Sequence, residues 1–252
     1  MSFDVAAESY DRFMGRYSSL LSPQLADFAG IDDGRRVIDV GCGPGALIAE
    51  LIRRVGADHV AAVDPSEPFV AAAQSRYPGV DVRKATAEEL PFDGHSFDAA
   101  LAQLVVHFMR DPVAGIREMA RVVRPGGTVA ACVWDFGGGA DPLHVFWAAA
   151  RELDPGITDE SGLAGARQGH LVELFAAAGL QAVAERALEV SLDHPSFDEW
   201  WEPFTRGVGP AGKHLASLDP GQRETVRDAC RARLGDGPFT ITAQAWAARG
   251  TT

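Results

Sequence analysis

The fold is decided by one stretch of the chain, Val37-Ile38-Asp39-Val40-Gly41-Cys42-Gly43-Pro44-Gly45. It begins as a short apolar run typical of a buried strand, and glycine then occupies every second position. Because glycine lacks a Cβ atom, such a run can turn sharply and let a ligand approach the backbone closely. A helical pattern starts at Ala46, so that helix would present its unpaired N–H groups to the turn. The stretch predicts a strand, a ligand-binding turn and a helix.

Apolar runs alternate with helix-like stretches on both sides of this turn. The predicted strands are Val37–Val40, Val60–Val63, Val80–Arg83, Phe97–Leu101 and Thr128–Val133. The predicted helices are Tyr10–Phe28, Ala46–Val55, Pro68–Ser75 and Ala114–Val123. Strands that alternate with helices of this length form βαβ crossovers, and these build a parallel sheet with helices on both faces.

The alternation loosens after Trp134. Helices are predicted at Pro142–Leu153 and Gln168–Ala178, and strands at Val183–Val190 and Phe239–Ala247. The stretch Pro195–Leu234, between those two strands, is helical in pattern and rich in aromatic residues. We expect a single domain over residues 1–252, a cofactor-binding core over 30–133, and a helical lid over 191–238 inserted between the sixth and seventh strands.

Composition narrows the classes of partner. The chain has 252 residues and a formal net charge of -12, and nucleic acids are usually bound by a basic surface, so we expect no nucleic-acid partner. Met1–Asp11 lacks the basic start and apolar run of a signal peptide, and no apolar stretch reaches the length of a membrane span. The three cysteines are far apart and fit neither a disulfide framework nor a metal site. A cytoplasmic protein without a metal is therefore expected.

The second predicted strand ends at an acidic residue, Asp64. A carboxylate there can accept hydrogen bonds from both hydroxyls of a ribose, which indicates an adenosine-bearing ligand. The spacing Gly41-x-Gly43-x-x-Ala46 also satisfies the dinucleotide fingerprint, so an NAD-dependent oxidoreductase stays open at this point. A purely structural alternative for Asp64 is a helix N-cap, because Asp-Pro-Ser often begins a helix.

Four blocks resemble the motifs of class I S-adenosylmethionine-dependent methyltransferases and occur in that family's order. They are Val37–Gly45, Asp64–Ser66, Ala85–Phe92 with Ser96–Asp98, and Arg121–Gly127. The match covers roughly Tyr10 to Val133 and is most similar to the subgroup with the ubiquinone and menaquinone biosynthesis methyltransferases. It implies a Rossmann-like, doubly wound α/β fold. Its seven-stranded, mostly parallel sheet would have the order 3-2-1-4-5-7-6, with strand 7 antiparallel.

The resemblance assigns the methionine side of S-adenosylmethionine to the first block and to the end of the fourth strand. Gly41 and Gly43 would let the backbone pass close to the methionine part. Asp39 would orient that turn and reach the amino group through water. Gln103 lies where the family often contacts the methionine end.

The ribose and adenine sides fall to the next two blocks. Asp64 would hold the ribose hydroxyls, with Pro65 or Ser66 packed beside the adenine. The adenine edge would be lined by the backbone of Ala87 together with Thr86 and Glu88. Relatives commonly carry Asp where Thr86 stands, so a charge-assisted contact to the adenine amino group would be missing here.

Two further positions have both a functional and a structural interpretation. Tyr10–Tyr17 resembles the N-terminal helix that closes over the cofactor, so Arg16 can pair with the cofactor carboxylate, or can simply be a solvated arginine on an amphipathic helix. His107 follows the fourth strand and can act as a general base, since imidazole titrates near neutral pH. The family often has His at this place without a catalytic role.

Aromatic residues and the other histidines complete the candidate set. An apolar substrate pocket, or alternatively the core of the lid, would use Trp134, Trp200, Trp201 and Phe204. His144 would face the substrate pocket. Surface positions are expected for His59, His95, His170, His194 and His214.

The expected reaction is transfer of a methyl group from S-adenosylmethionine to an O, N or C atom of a small molecule, which leaves S-adenosylhomocysteine as product. We expect the enzyme to be a monomer or a homodimer. The adenine-loop block, and the lack of an obvious catalytic Tyr-Lys or His pair, argue against the oxidoreductase. A non-catalytic cofactor-binding protein of the same fold also stays open, because methyl transfer requires no invariant catalytic side chain.

Overall fold

In a computed structural model, residues 7–252 are described and form one seven-stranded sheet in the order β3-β2-β1-β4-β5-β7-β6. The strands are β1 (Val37–Val40), β2 (Val60–Asp64), β3 (Asp81–Lys84), β4 (Phe97–Gln103), β5 (Val123–Trp134), β6 (Gln181–His194) and β7 (Phe239–Thr251). β7 pairs antiparallel with β5 and β6, and the other neighbouring pairs are parallel. The strand order and the antiparallel seventh strand are confirmed. The first six residues of the Met1–Asp11 segment, where we expected no signal peptide, lie outside the described residues.

Ten α-helices surround the sheet in residues 7–252. They are α1 (Ala7–Tyr10), α2 (Arg16–Ala29), α3 (Ala46–Val55), α4 (Glu67–Arg76), α5 (Pro112–Val122), α6 (His144–Leu153), α7 (His170–Ala177), α8 (Phe197–Trp201), α9 (Gly209–Ser217) and α10 (Pro220–Leu234). A π-helical turn at Asp11–Gly15 interrupts the single helix predicted over Tyr10–Phe28. Helical spacing alone does not distinguish this turn from an α-helix, because both bury residues on one face.

The direction of the chain reverses at the centre of the sheet. It passes from β1 through α3 to β2 in one direction, and from β4 through α5 to β5 in the other. Crossovers between parallel strands are right-handed, so α3 and α5 lie on opposite faces. The reversal opens a crevice at the carboxyl ends of β1 and β4, where open α/β sheets bind their ligands.

The segment between β6 and β7 folds as helices. α8, α9 and α10, with a 3-10 turn at Glu202–Arg206, occupy residues 197–234. We call these residues the lid helices. α10 packs against α6, so the lid helices and α6 enclose a shared aromatic core. β6 and β7 pair over their full length and carry these helices beyond the end of β5.

Two kinds of feature are missing from residues 7–252. No helix there has the length and apolar character needed to cross a membrane. In the same residues, no group of three or more His, Cys, Asp or Glu side chains is placed to hold a metal ion.

The residues Pro125-Gly126-Gly127 lie inside β5, where its pairing with β4 is irregular. The register passes from Phe97–Val123 directly to Ala99–Thr128, which leaves residues 124–127 bulged. A Cβ atom at Gly127 would lie 2.6 Å from the carbonyl oxygen of Asp98 and 2.9 Å from that of Arg124. Backbone oxygens cannot rotate away, so this position requires glycine.

We expect Gly127→Ala to lower the free energy of unfolding by about 1–3 kcal/mol, because overpacking against backbone forces the strand to shift. Urea unfolding followed by tryptophan fluorescence measures this change. The control is Gly237→Ala, which places its Cβ in open space and should be neutral or stabilising by at most about 1 kcal/mol. Equal stability of the two variants would contradict the close approach at Gly127.

Candidate active site

The glycine turn after β1 is fastened to the end of β2. The N–H groups of Gly41 and Cys42 both donate to the carbonyl oxygen of Val63, at 2.8 and 2.9 Å. Gly41 has a φ of +77°, and a Cβ atom there would lie 2.5 Å from both Cγ atoms of Val105. The turn therefore admits only glycine at this position, and its backbone runs directly under the segment that follows β4.

Asp64 joins the two turns that follow β1 and β2. One carboxylate oxygen accepts a hydrogen bond from the N–H of Gly43 at 2.9 Å, and the other accepts from the N–H of Ser66 at 2.8 Å. Burial raises the pKa of Asp64, although these two N–H groups lower it. The N-cap of α4 is Ser66, so Asp64 bridges the turns and is not itself the cap. Each oxygen retains a lone pair that a ligand hydroxyl can use.

Asp39 is the most unusual group in the site. Its side chain is 1% exposed, and within the described residues neither carboxylate oxygen has a hydrogen-bond partner. Burial, and then the neighbouring charge of Asp64, raise its pKa well above the ordinary value. An unpaired buried carboxylate is unfavourable, so its presence indicates a place for a positively charged ligand group.

The predicted adenine loop lies beside Asp64. The N–H of Ala85 donates to the carbonyl oxygen of Asp64 at 3.2 Å, and Ala87 is buried while Pro65 and Thr86 are exposed. An exposed edge next to the end of β2 is thus open to a planar ring.

Glu88 fastens this loop to the segment before α5. Its carboxylate accepts hydrogen bonds from the N–H groups of Arg110 at 2.8 Å and Asp111 at 3.3 Å. Partial burial opposes ionisation, yet these N–H donors lower the pKa of Glu88 overall. Its carboxylate therefore supports the loop rather than standing free for a ligand.

Gln103 and Arg16 contact other parts of the protein rather than the glycine turn. The amide nitrogen of Gln103 donates to the carbonyl oxygen of Ser18 at 3.0 Å and so ties α2 to the end of β4. Arg16 forms an ion pair with Glu199 and donates to the carbonyl oxygen of Asp193 at 3.1 Å. In this structure the guanidinium of Arg16 therefore contacts β6 and α8 rather than the cofactor side.

His194 is buried, and its predicted surface position is wrong. It is 4% exposed, its Nε2 lies 2.9 Å from the hydroxyl of Tyr17, and its Nδ1 lies 2.8 Å from Oε2 of Glu199. Arg16, Tyr17, His194 and Glu199 together form what we call the latch, which connects α2 with β6 and α8. The remaining four, His59, His95, His170 and His214, are exposed or half-buried.

An apolar cavity lies at the carboxyl ends of β4 and β5. Its aromatic walls are Tyr10, Phe13, Phe108, Trp134 and Phe136. We call it the aromatic cavity. It also borders Val208–Ala211 at the start of α9, and it leaves about 40 Å³ for solvent, which is room for a few water molecules.

The four aromatic residues proposed for a pocket or lid core divide between the two roles. Trp134 lines the aromatic cavity. Phe204 stacks on Phe146 with ring centres 4.8 Å apart and also contacts Trp200 and Trp201 at 4.8 and 5.8 Å. Trp200, Trp201 and Phe204 therefore form the core of the lid.

His107 lines the aromatic cavity as a neutral imidazole. It is 7% exposed, and burial lowers its pKa to about 3. Its Nδ1 has no partner among the described residues. So weakly basic a ring is a poor proton acceptor at neutral pH. The environment therefore favours a polar contact to a ligand over the role of general base.

Sequence reasoning missed Glu160. It is 4% exposed, it lines the aromatic cavity, and its Oε2 accepts a hydrogen bond from the indole N–H of Trp147 at 3.1 Å. Burial raises the pKa of Glu160 to about 8, and the charges of Asp141 and Asp159 add to the effect. Glu160 belongs to a 3-10 turn in a loop without periodic pattern, so no signal in the sequence distinguishes it from a surface glutamate.

Comparisons with known proteins place this sequence beside methyltransferases. Residues 38–131 match the family model described as a methyltransferase domain. The chain is 33% identical over 153 residues to a malonyl-[acyl-carrier protein] O-methyltransferase of Erwinia billingiae, covering 61% of this chain and 58% of that protein. It is 41% identical over 101 residues to a ubiquinone biosynthesis O-methyltransferase of Rhizobium etli, covering 38% and 40%. The chain spans about half the length of the curated relatives it matches. The resemblance to methyltransferases is confirmed for residues 38–131.

Solved structures share the fold at low identity. Geranyl diphosphate C-methyltransferase of Streptomyces coelicolor, in complex with geranyl diphosphate and S-adenosylhomocysteine, has a TM-score of 0.56 at 15% identity and covers 94% of this chain and 80% of its own. The [4+2]-cyclase SpnF has a TM-score of 0.58 at 23% identity and covers 92% and 81%. One fold thus carries different chemistries.

The pKa of Asp39 leads to a pH-dependent stability prediction. A carboxyl whose pKa is higher in the folded than in the unfolded state lowers the free energy of unfolding as pH rises above the unfolded-state pKa. This decrease in stability continues until the pH reaches the folded-state pKa. Because asparagine does not titrate, Asp39→Asn should become more stable relative to wild type as pH rises from about 4 to about 8. Urea unfolding over that range tests this against the exposed Asp93→Asn. A pH-independent difference for Asp39→Asn would contradict it.

The latch predicts a specific effect of one hydroxyl. Tyr17→Phe leaves a nitrogen of His194 buried without its partner, so the free energy of unfolding should fall by about 1–3 kcal/mol. The lid segment should also be cut faster in limited proteolysis. Tyr77→Phe is the matched control, because within the described residues the Tyr77 hydroxyl has no hydrogen bond, and it should change stability by less than about 0.5 kcal/mol. Equal effects of the two variants would contradict the latch.

Proposed function

We propose that this chain, which carries a class I methyltransferase domain over residues 38–131, transfers a methyl group from S-adenosylmethionine to an O, N or C atom of a small molecule. One observation carries the proposal. The buried, unpaired carboxylate of Asp39 lies under a glycine turn that is tied to Asp64. The two carboxylates are therefore arranged for a ligand with a cationic group at one end and vicinal hydroxyls further along.

S-adenosylmethionine fits this arrangement. Its ammonium group would neutralise Asp39, directly or through water, and the ribose hydroxyls would donate to the remaining lone pairs of Asp64. The first N–H groups of α3 face the same turn and suit the cofactor carboxylate. Pro65 and Thr86, both exposed beside the end of β2, would border the adenine. Arg16 is held by Glu199, so we assign it to the latch and not to the cofactor carboxylate.

When bound, S-adenosylmethionine supplies a methyl group on a sulfonium, which a nucleophile displaces directly, leaving S-adenosylhomocysteine. The residues of the chain contribute alignment and exclusion of water. Phe13, Phe108 and Trp134 form dry walls beside the crevice. His107 stays neutral and offers a hydrogen bond to the acceptor. Closure of α9 over the aromatic cavity keeps water from the reacting atoms.

We propose a small, partly apolar acceptor. The aromatic cavity is its place, and no nucleic-acid or membrane partner is proposed for so acidic a chain. A cytoplasmic location and a monomeric or homodimeric state remain predictions, of which the second is measured by sedimentation equilibrium.

A second candidate is a protein of this fold that binds the cofactor without transferring its methyl group. The low pKa of His107, which removes the obvious general base, favours it. The cyclase SpnF, similar in fold, is an example of a different reaction on this scaffold. Retained cofactor affinity without methylation across a broad acceptor panel would select this candidate.

Calorimetric titration tests the cofactor. We expect S-adenosylmethionine and S-adenosylhomocysteine to bind with micromolar affinity and NAD not to bind. Asp39→Asn and Asp64→Asn should each weaken both adenosyl ligands at least about tenfold, which is about 1.4 kcal/mol, because each loses a charge-assisted contact.

Asp81→Asn is the matched control, since Asp81 lies on β3 and pairs with Arg83 at the surface. Its affinity should equal that of wild type. Binding of NAD without the adenosyl ligands would overturn the proposal and restore the oxidoreductase. Unchanged affinity in both site variants would move the cofactor away from the glycine turn.

A further inference from the structure

We propose that Glu160 selects the acceptor, and that the acceptor carries a basic nitrogen whose ammonium form pairs with this carboxylate inside the aromatic cavity. This inference rests on the proposed function, because it names the class of molecule that would receive the methyl group. The recognised nitrogen is the feature that the cavity selects. The site of this recognition is the aromatic cavity and not the glycine turn.

The position of Glu160 carries the first step. It is a cavity-lining side chain that is nine-tenths or more buried, at 4% exposure. Trp147 holds Oε2 through its indole N–H, and Trp147 is itself buried. No described residue donates a hydrogen bond to Oε1. The carboxyl is thus held in one orientation with one oxygen left for a ligand.

The charges around the cavity carry the second step. Among the described residues that line it, Glu160 is the only Asp, Glu, Lys or Arg. His107, which lines the same cavity, is neutral because burial lowers its pKa to about 3. An anionic acceptor would find no counter-charge here and would face a carboxylate. A neutral acceptor would leave the buried carboxyl protonated, whereas a cationic acceptor would restore its ionised form by pairing with it.

The charged groups behind the cavity wall also favour a cationic ligand. Asp141 is 2% exposed and its carboxylate accepts from the N–H of Leu143, so it adds negative potential near Glu160. The nearby cation Arg151 is paired with Asp159 and lies half-exposed, away from the cavity lining. Burial, with these acids, raises the pKa of Glu160 to about 8. A cation that enters the cavity would stabilise the ionised form of Glu160, because it forms the ion pair that the carboxylate lacks in the protein alone.

The walls suit the same ligand. Rings of Tyr10, Phe13, Phe108, Trp134 and Phe136 surround the cavity. Aromatic faces attract organic cations, and the attraction increases when water is excluded. A buried carboxylate set among aromatic rings is therefore complementary to an alkylammonium group on an apolar body.

Three probes of similar size distinguish charge from shape. These are 2-phenylethylamine, 2-phenylethanol and 3-phenylpropanoate, titrated in the presence of S-adenosylhomocysteine and followed by tryptophan fluorescence, since Trp134 lines the cavity. We expect the amine to bind at least about tenfold more tightly than the alcohol, and the carboxylate probe not to bind. Glu160→Gln should abolish most of that preference. Glu173→Gln, which removes an exposed glutamate from α7, should retain it.

Other results overturn the inference. They are equal affinity for amine and alcohol, preference for the carboxylate probe, no binding of the amine at millimolar concentration, or amine binding unchanged in Glu160→Gln. A loss of affinity for S-adenosylmethionine but not for S-adenosylhomocysteine in Glu160→Gln would assign the carboxyl to the sulfonium and also overturn it.

Calorimetry with S-adenosylhomocysteine on the same samples separates this inference from the proposed function. If the wild type binds that ligand but shows no preference for the amine, only the role of Glu160 fails. If the wild type does not bind it, the proposed function itself fails. Binding of S-adenosylhomocysteine by Glu160→Gln at the affinity of wild type also shows that the variant is folded.

Discussion

The hydrogen bonds from the Gly43 and Ser66 N–H groups to Asp64 are the constraint on which the site depends. They connect the turn after β1 to the turn after β2. The strands β1 and β2 themselves pair in parallel. With the turn fixed, α3 begins at a defined place and points its free N–H groups into the crevice. Asp39, two residues before the first glycine of the turn, is then buried without a partner among the described residues. The geometry that makes the turn rigid also creates the carboxylate that a ligand must neutralise.

Most of the core could be predicted because its signals are local. The apolar run and the glycines of residues 37–45 lie next to each other in the chain, and α3 was predicted with its observed bounds, Ala46–Val55. The edge of the sheet was harder to predict. β6 was predicted at Val183–Val190 but extends over Gln181–His194, because its many exposed polar residues carry no apolar pattern and only backbone pairing with β7 defines it. His194 and Glu160 were misplaced or missed for a related reason, since their burial comes from segments distant in sequence.

Four of the buried carboxyl groups have a raised pKa. Asp39, Asp64, Asp141 and Glu160 are all 8% exposed or less, and burial raises the pKa of each. Such groups weaken the folded state, and the large apolar core beneath the sheet offsets them. A protein selected only for stability would replace them with apolar side chains of similar size. Asp64 and Asp141 accept hydrogen bonds from backbone N–H groups, whereas Asp39 and Glu160 are the two for which we propose positively charged ligand groups.

The helix α2 connects the two halves of this site. The carbonyl oxygen of Ser18 accepts a hydrogen bond from the amide of Gln103 at the end of β4. The preceding residue, Tyr17, is hydrogen-bonded through its hydroxyl to His194 of the latch. Phe13, one turn earlier, lines the aromatic cavity and packs on Phe204 of the lid core at 4.9 Å. One short helical stretch, residues 13–18, thus contacts the end of β4, the latch and the lid core. The cofactor side and the acceptor side of the site therefore depend on the same stretch of chain for their packing.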